Sequence, residues 1–541
     1  MRKFKLPAHL KEDAIKNLNP NQTTNRRNCG PLLRYDFNDS GNASKFLEWY
    51  KDDVLYDPYS KQWFVYKEGR WMRDAQRIEI GSLAQELYDS LNAYIQREYD
   101  DVLNYDKVAV KKLNDADRSL VEQRRARYLE LSKGVKKLGN NRTQNDMFKT
   151  VQTRVAKNSN IFNPDSTNHL LVVKNGTVNL RTGELRPHSR EDYSTMRIDI
   201  DYDPHVGEPT GFIRFLNQAF EGNAEIIGYV KRLLGYCLTG ENSVQAFHFL
   251  LGLGGNGKGV LLHLIEKIFG EYCFPLDLGA LDRRSNSNSP NSSLFRAKRC
   301  RCIILTESNE DERPNSGLIK QLTGRDTISP KTSSSDNDRF KPHFKLLWSV
   351  NDIPSIDLSD YAMYRRYRKI PFKVSFRDNP DEKLEDTLWN TESGKILKFL
   401  IDGAVDYYKN GLSTIPEVME DEIEQDRRDL DSIYAFYTDM IEPADNDTGY
   451  QATVLYEAYR NYCRNHEFDN PKSMKKFGST ICNVYGVRRV SRSSANYYVG
   501  IRIRNLRENE SSESDVSETA EEATASTGTE VTATETVVTE A

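Results

Sequence analysis

Residues 246–270 read AFHFLLGLGGNGKGVLLHLIEKIFG, an apolar run that breaks into glycines and resumes at a different spacing. The first part suits a buried strand. After the break, Val260, Leu264, Ile265 and Ile268 fall on one face of a helix. Between the two, Gly252, Gly257 and Lys258 stand at the spacing of a phosphate-binding loop. Gly252, Gly254, Gly255, Gly257 and Gly259, with Asn256 among them, let consecutive backbone N–H groups turn inward around phosphate oxygens. Lys258 is expected to reach the β and γ phosphates, and the helix dipole adds positive potential. A glycine loop alone is weak evidence, but one that follows a strand and opens a helix predicts a nucleotide site, with a merely structural turn as the alternative. One position departs from the pattern. The hydroxyl residue that usually follows the lysine and holds Mg²⁺ is Gly259, so the metal is expected to be held through water and a second strand.

That second strand is CRCIILTESNE, residues 300–310. Glu307 at its tip is the expected metal ligand and organiser of the attacking water, with Glu310 a further candidate; the plainer alternative is that Glu307 begins a loop. Cys300 and Cys302 lie two apart on the strand with no accompanying His or Cys pair, so packing is expected rather than zinc. A third strand, HFKLLWSVND (343–352), ends at Asn351, placed to sense the γ phosphate or position the water. Beyond it, YAMYRRYRKIPF (361–372) offers Arg365 and Arg366 as the cation that neutralises transition-state charge, a contribution of ~10³ to 10⁵ in rate. The competing reading is a solvated basic face.

GLGGNGKG, CIILTESNE, LIKQLTGRDTISPK, LLWSVND and DYAMYRRYRKIPF, in that order, resemble the superfamily 3 helicases, in particular the helicase half of phage, plasmid and poxvirus primase-helicases. The resemblance extends upstream through NHLLVVKNGTVNLRTGELRPH and LLGYCLTGE and covers most of residues 45–505. It implies a ring, usually hexameric, of AAA+-like subunits that hydrolyse ATP and move on single-stranded DNA, typically 3′ to 5′, with the arginine acting in the neighbouring subunit's site. Two departures, Gly259 and a single acid followed by Ser308, bear on metal ligation. Between the second and third strands, ISPKTSSSDNDRFKPHFK looks like a hairpin with Lys331, Arg339, Lys341 and Lys345 around a polar tip. In such a ring it would point into the pore and track phosphates without reading sequence. Lys320 is a further candidate cation there.

The C-terminal part carries three helical patterns, SIYAFYTDMI, TVLYEAYRNYC and SMKKFGSTICNVYG, followed by VRRVSRSSANYYVGIRIR, a strand-turn-strand. This combination predicts a winged helix. From Ser473 to Arg504 there are seven Lys or Arg and no acid, so Lys475, Lys476, Arg488, Arg489 and Arg492 are expected to meet duplex DNA. A protein-docking winged helix is the alternative.

The expected fold class is multidomain α/β, an AAA+-like P-loop core with an α+β accessory domain before it and a winged-helix domain after it. The expected boundaries are a flexible leader (1–44), the accessory domain (45–240), the ATPase core (241–378), a helical linker (379–428), the winged helix (429–505) and a disordered acidic tail (506–541). In the accessory region, KQWFVYKEGRW predicts a hairpin turning at Glu68-Gly69, and Asn175-Gly176 a second one. Leu83, Leu87, Leu91 and Tyr94 mark a helix, as do Phe212, Phe215 and Leu216.

Over 541 residues the formal charge is −4, but residues 508–541 alone hold ten Asp and Glu and no Lys or Arg. Without them the chain is at +6, which suits a polyanionic partner without proving one. No apolar run approaches the ~18 residues of a membrane span, and the charged amino terminus lacks a secretory core. Seven cysteines without regular spacing read as reduced thiols. The expected setting is therefore the cytoplasm, with no membrane partner, and the resemblance to phage and plasmid proteins implies a bacterial host. The expected partners are single-stranded and origin DNA, further copies of the chain, and a separate primase or other replisome protein, since no priming centre is visible. The function expected is an ATP-dependent DNA helicase of a phage, plasmid or mobile element. Its rivals are an origin-binding initiator that uses ATP only to assemble, and an ATPase that moves RNA or packages genomes.

Overall fold

The computed structural model describes residues 28–58, 60–103, 113–157, 167–277, 281, 294, 297–306, 314–328, 340–354, 356–492 and 495–504. Of the flexible leader expected over 1–44, residues 1–27 lie outside them, as does the acidic tail, whereas residues 28–44 are ordered: Cys29, Leu32 and Ala43 are buried and a helix begins at Asp39. Two compact units emerge: Met1–Asn163 with Pro187–Arg197, and Pro164–Arg186 with Ile198–Ala541. This division departs from the expected boundary at 240. The segment 164–186 and everything from 198 onward belong with the nucleotide loop.

The first unit holds α1 (Asp39–Tyr50), the antiparallel strands β1 (Val54–Asp57), β2 (Gln62–Lys67) and β3 (Arg70–Asp74), then α2 (Ile78–Glu98), α3 (Asp100–Leu103), α4 (Asp115–Leu138) and α5 (Asn141–Val155). The hairpin turns where expected, at Glu68 and Gly69, both with φ positive (53° and 81°), as a two-residue turn matching strand twist requires. On α2 the buried stripe is Ile80, Ala84, Leu87, Leu91 and Ile95. Leu83 and Tyr94, expected on that face, stand at its margin and are only partly buried.

The second unit begins with β4 (Leu170–Val173), β5 (Gly176–Asn179) and β6 (Glu184–Arg186), an antiparallel sheet. Its first turn is made by Lys174 and Asn175, and Gly176 already pairs with Val173. Then come α6 (Thr210–Ala219), α7 (Ala224–Leu238), β7 (Phe247–Leu251), α8 (Lys258–Phe269), β8 (Cys273–Asp277), β9 (Cys302–Thr306), α9 (Ser316–Leu322), β10 (Lys345–Val350), α10 (Tyr361–Tyr364), β11 (Tyr367–Pro371), α11 (Leu384–Asn410) and α12 (Glu417–Leu430). Five of these strands form one sheet in the order β11-β7-β10-β9-β8, with every pairing parallel. Such strands are covered on both faces, which is why Phe247, Phe249, Ile303, Leu305, Leu346 and Trp348 are buried together.

Residues 379–428, expected as a helical linker, form α11 and most of α12, and both helices are packed. Gly235 of α7 and Gly403 of α11 bring the two helices to backbone contact: a Cβ on Gly235 would sit 2.1 Å from the Ala404 nitrogen, and one on Gly403 2.2 Å from the Lys231 carbonyl. α12 is held on β11 by Asp426, which accepts from the Tyr367 hydroxyl (2.6 Å) and pairs with Lys369 (2.7 Å).

The chain continues with α13 (Ser432–Met440), β12 (Ile441–Pro443), β13 (Gly449–Gln451), α14 (Ala452–Asn465), α15 (Met474–Asn483), β14 (Arg488–Arg492), β15 (Ala495–Val499) and β16 (Ile501–Ile503). β13, β15 and β14 form an antiparallel sheet. Phe436, Leu455, Tyr459, Phe477 and Ile481 make the core beneath the helices.

Candidate nucleotide site

The strand order determines which residues meet. β10 lies between β7 and β9, with Val350 opposite Leu251 and Trp348 opposite Leu305. The carboxyl ends of β7, β10 and β9 therefore stand in a row, each ~4.8 Å from the next. This is the edge where open parallel sheets hold ligands.

At the tip of β7 the chain enters the glycine loop. Gly252 has no room for a side chain: a Cβ there would lie 1.9 Å from the Asn256 amide nitrogen and 2.5 Å from the Phe372 carbonyl. Gly257, at φ 85°, is the left-handed residue from which α8 starts. Asn256 is buried and folded back under the loop, its amide donating to the Phe372 carbonyl at 3.4 Å. Lys258, 5% exposed, donates to the Gly252 carbonyl and to Asn256 Oδ1 (3.3 Å). It also reaches Asn351 Oδ1 at 3.3 Å, 93 positions along the chain. A cation in a ring of glycine amides, beside an uncharged amide on the next strand, is a donor-rich concavity suited to phosphate oxygens.

Gly259, exposed on the first turn of α8, has nothing among the described residues within 4 Å of where a Cβ would stand. The space for a hydroxyl exists without the hydroxyl. Glu307 and Glu310 lie outside the described residues, which end on that strand at Thr306. Among the described residues no cluster of three His, Cys, Asp or Glu is arranged to hold a metal.

Arg365 and Arg366 stand at the opposite end of the sheet. Phe247, the first residue of β7, donates its N–H to the Arg366 carbonyl at 2.9 Å, whereas the loop leaves at the far end, opposite Pro371. Five strand residues separate the two ends, about 16 Å, so neither arginine serves its own chain's loop. The two differ from each other. Arg366 is 7% exposed and donates to the Ala362 carbonyl (2.7 Å) and Gln245 Oε1 (3.1 Å). Arg365 is exposed and shares the same Gln245 oxygen at 2.8 Å.

The expected pore cations separate sharply. Lys331 and Arg339 lie outside the described residues. Ile328 and Phe340 form an antiparallel bridge (2.8 and 3.1 Å), and Lys341 just beyond is exposed. Lys345 is corrected. It is 2% exposed and donates to the carbonyls of Thr239, Glu241 and His343. Burial pushes its pKa down to about 7, and no DNA phosphate reaches it in this arrangement. Lys320 is likewise engaged, by Asp360 at 2.7 Å.

In the C-terminal part, Lys475 and Lys476 lie in the first turn of α15 and Arg488, Arg489 and Arg492 on β14, all exposed. The sequence reading missed Gln245 and Arg377. Neither sits in a motif, and only strand pairing carries each to its place. Two other strand residues hold no chemistry. His248 on β7 is buried against the Tyr229 hydroxyl (3.0 Å), its pKa pushed down to about 3 by burial; Cys302 on β9 is packed inside the sheet.

Residues 43–221 match the family described as D5 N terminal like. Two relatives are "Putative helicase L207/L206" of Acanthamoeba polyphaga mimivirus, 28% identical over 58% of this chain and 32% of its own length, and "Putative helicase 184R" of Invertebrate iridescent virus 6, 29% identical over 46% of this chain and 26% of its own. These matches bear out the resemblance to the primase-helicase family. The chain thus spans about a third or less of the length of the curated relatives it matches. Among solved structures, the apo C-terminal region of NrS-1 is similar at 12% identity, with a TM-score of 0.44, over 86% of this chain and 100% of that one. Among the described residues, no helix is long and apolar enough to cross a membrane.

Proposed function

We propose that this chain is an ATP-dependent DNA helicase for replication of a mobile or viral genome, working as a ring of AAA+-like subunits, expected to be hexameric and to move 3′ to 5′. The observation that carries the reading is the meeting of Lys258 and Asn351 over a glycine loop at the carboxyl edge of a parallel sheet. Kinship with proteins named as helicases supports coupling that site to nucleic acid.

In this reading MgATP is the substrate. Lys258 and the loop amides hold the phosphates, Glu307 orders the metal and the attacking water, and Asn351 holds that water or the γ phosphate in line. Charge developing on the phosphoryl oxygens is met by an arginine from the neighbouring subunit, because the chain's own pair stands at the wrong end of the sheet. Arg365, the exposed member, is the better candidate, and Arg366 holds it through their common partner Gln245. Lys341 with Lys331 and Arg339 would line the pore on single-stranded DNA. The C-terminal part would act as a winged helix, meeting origin duplex through Lys475, Lys476, Arg488, Arg489 and Arg492.

The exposed basic row also favours a second reading, an origin-binding initiator that uses ATP for assembly. A forked-DNA unwinding assay separates the two. Strand displacement by the purified protein with ATP and no partner supports the helicase, and DNA binding with ATP-driven assembly but no displacement at any protein concentration supports the initiator.

A further inference from the structure

The nucleotide loop has a second cation that the motif does not contain. β11 runs parallel to β7 with Pro371 opposite Leu251, so the chain leaving β11 emerges beside the glycine loop and stays there. Phe372 donates its N–H to the Leu251 carbonyl at 2.7 Å, and Phe376 to the Gly255 carbonyl at 2.7 Å. These two backbone bonds lay residues 372–377 along the loop and deliver Arg377 onto it.

The side chain of Arg377 fits against glycines only. A Cβ on Gly255 would fall 2.6 Å from Arg377 Cγ, and one on Gly254 3.0 Å from Arg377 Nη2. The guanidinium donates to the Leu253 carbonyl. Asn351 Oδ1 lies 4.0 Å from the same point above Gly254, and Asn351 is in turn 3.3 Å from Lys258 Nζ. Arg377 thus stands on the Asn351 side of the loop, where the terminal phosphate of a nucleotide held by Lys258 belongs. The group is exposed, and among the described residues no carboxylate pairs with it. One carbonyl engages one of five N–H donors, which leaves a fork able to take two oxygens of a phosphate.

We infer that Arg377 is a phosphate-contacting residue acting within its own subunit: when a nucleoside triphosphate enters, its guanidinium leaves the Leu253 carbonyl for the terminal phosphate. This deepens the nucleotide reading and rests on it. The loop's third and fourth residues are then glycines for two reasons, the turn they make and the arginine stem they must let pass. The site reads the phosphate chain with Lys258 from one side and Arg377 from the other, and the arginine from the neighbouring subunit completes it.

A merely structural role is the competing account, with Arg377 pinning the loop through Leu253. Equilibrium binding of fluorescent ATP and ADP to the full chain distinguishes them, using wild type, Arg377→Ala, Arg377→Gln and Arg377→Lys, with thermal melts to verify folding. A phosphate contact predicts that Ala and Gln each weaken ATP about tenfold or more, the size of one charge-assisted bond removed, while ADP changes less than about twofold and Lys recovers part of the loss. Glutamine still has an N–H for the Leu253 carbonyl, so full recovery by Gln overturns the inference. An equal loss of ATP and ADP also overturns it, as does wild-type selectivity in all three variants. If the wild type binds ATP and Lys258→Ala abolishes that binding, the nucleotide reading stands whichever way Arg377 falls. A wild type that binds neither nucleotide removes both.

Discussion

Lys258 Nζ lies 3.3 Å from Asn351 Oδ1, joining the end of the glycine loop to the tip of the neighbouring strand. The two side chains share one concavity yet differ in what they can do for a phosphate. In the proposed reaction the lysine would supply charge in the ground state and the transition state alike, whereas the amide would supply orientation. Lys258→Ala is therefore expected to abolish ATP binding, and Asn351→Ala to leave ATP affinity within a few-fold while lowering kcat by about 10² to 10³. Steady-state kinetics with equilibrium binding read both. A loss confined to KM in Asn351→Ala would remove its role in positioning.

The arginines should separate by stability as well as by rate. Arg366 is buried, and its pKa is held below the ordinary value by burial and then by the adjacent Arg365. Arg366→Ala removes the side-chain donor of the Ala362 carbonyl and leaves Gln245 with Arg365 alone, and is expected to lower the Tm. Arg365→Ala should leave the Tm unchanged and abolish hydrolysis. Mixing Arg365→Ala subunits with Lys258→Ala subunits should then restore part of the activity, because intact sites form at mixed interfaces. Mixed rings verified by mass and inactive at every ratio would count against action across subunits.

Gly259 offers the opposite experiment, a gain. Among the described residues nothing lies within 4 Å of its Cβ position, so Gly259→Ser should fold with undiminished Tm and place a hydroxyl where the loop pattern usually has one. The Mg²⁺ concentration for half-maximal hydrolysis is expected to fall. If serine leaves the Mg²⁺ titration unmoved, the metal is held wholly by other groups.

Lys345 gives a pH signature. Its native pKa, pushed down to about 7 by burial, lies below the ordinary lysine value of about 10.4 kept by the unfolded chain. Between these values the unfolded state binds more protons, so stability rises with pH across that window. Below pH 7 the buried charge costs its full penalty. Melting curves from pH 6.5 to 9.5 should show wild type gaining on Lys345→Met as pH rises. A constant difference between them would mean that Lys345 is charged throughout.

Exposed cations on α15 and β14 predict a salt effect. Removing Lys476 and Arg489 together should weaken duplex binding and reduce the slope of log K against log salt by about one for each phosphate left without its cation. ATP hydrolysis without DNA should not change. An unaltered slope in the double variant would place the DNA on another face.

Much of the site was legible because its chemistry is local. A strand, three left-handed glycines, a lysine and a helix lie within twenty-five residues, and Asn351 directly follows an apolar strand whose length announces its end. The hairpin at Glu68-Gly69 is legible for the same reason, since two residues settle a turn. What failed was burial. Lys345 sits in a polar, basic stretch that reads as surface, yet its partners are the Thr239 and Glu241 carbonyls, 106 and 104 positions away. Residues 379–428 read as a charged linker because the glycine of α11 that lets the helix approach α7 has meaning only opposite Gly235.

By itself the sequence determined the kinds of groups present, their order, and the backbone periods that make a strand end in a phosphate loop. These depend on neighbours a few residues apart, and the pattern repeats them faithfully. The tertiary structure alone decided which strand tip stands beside Lys258, which of two adjacent arginines is exposed, and that Arg377 overlies the loop. Those outcomes follow from the β11-β7-β10-β9-β8 order and its register. Strand pairing brings together residues more than ninety positions apart, and no local period carries that information.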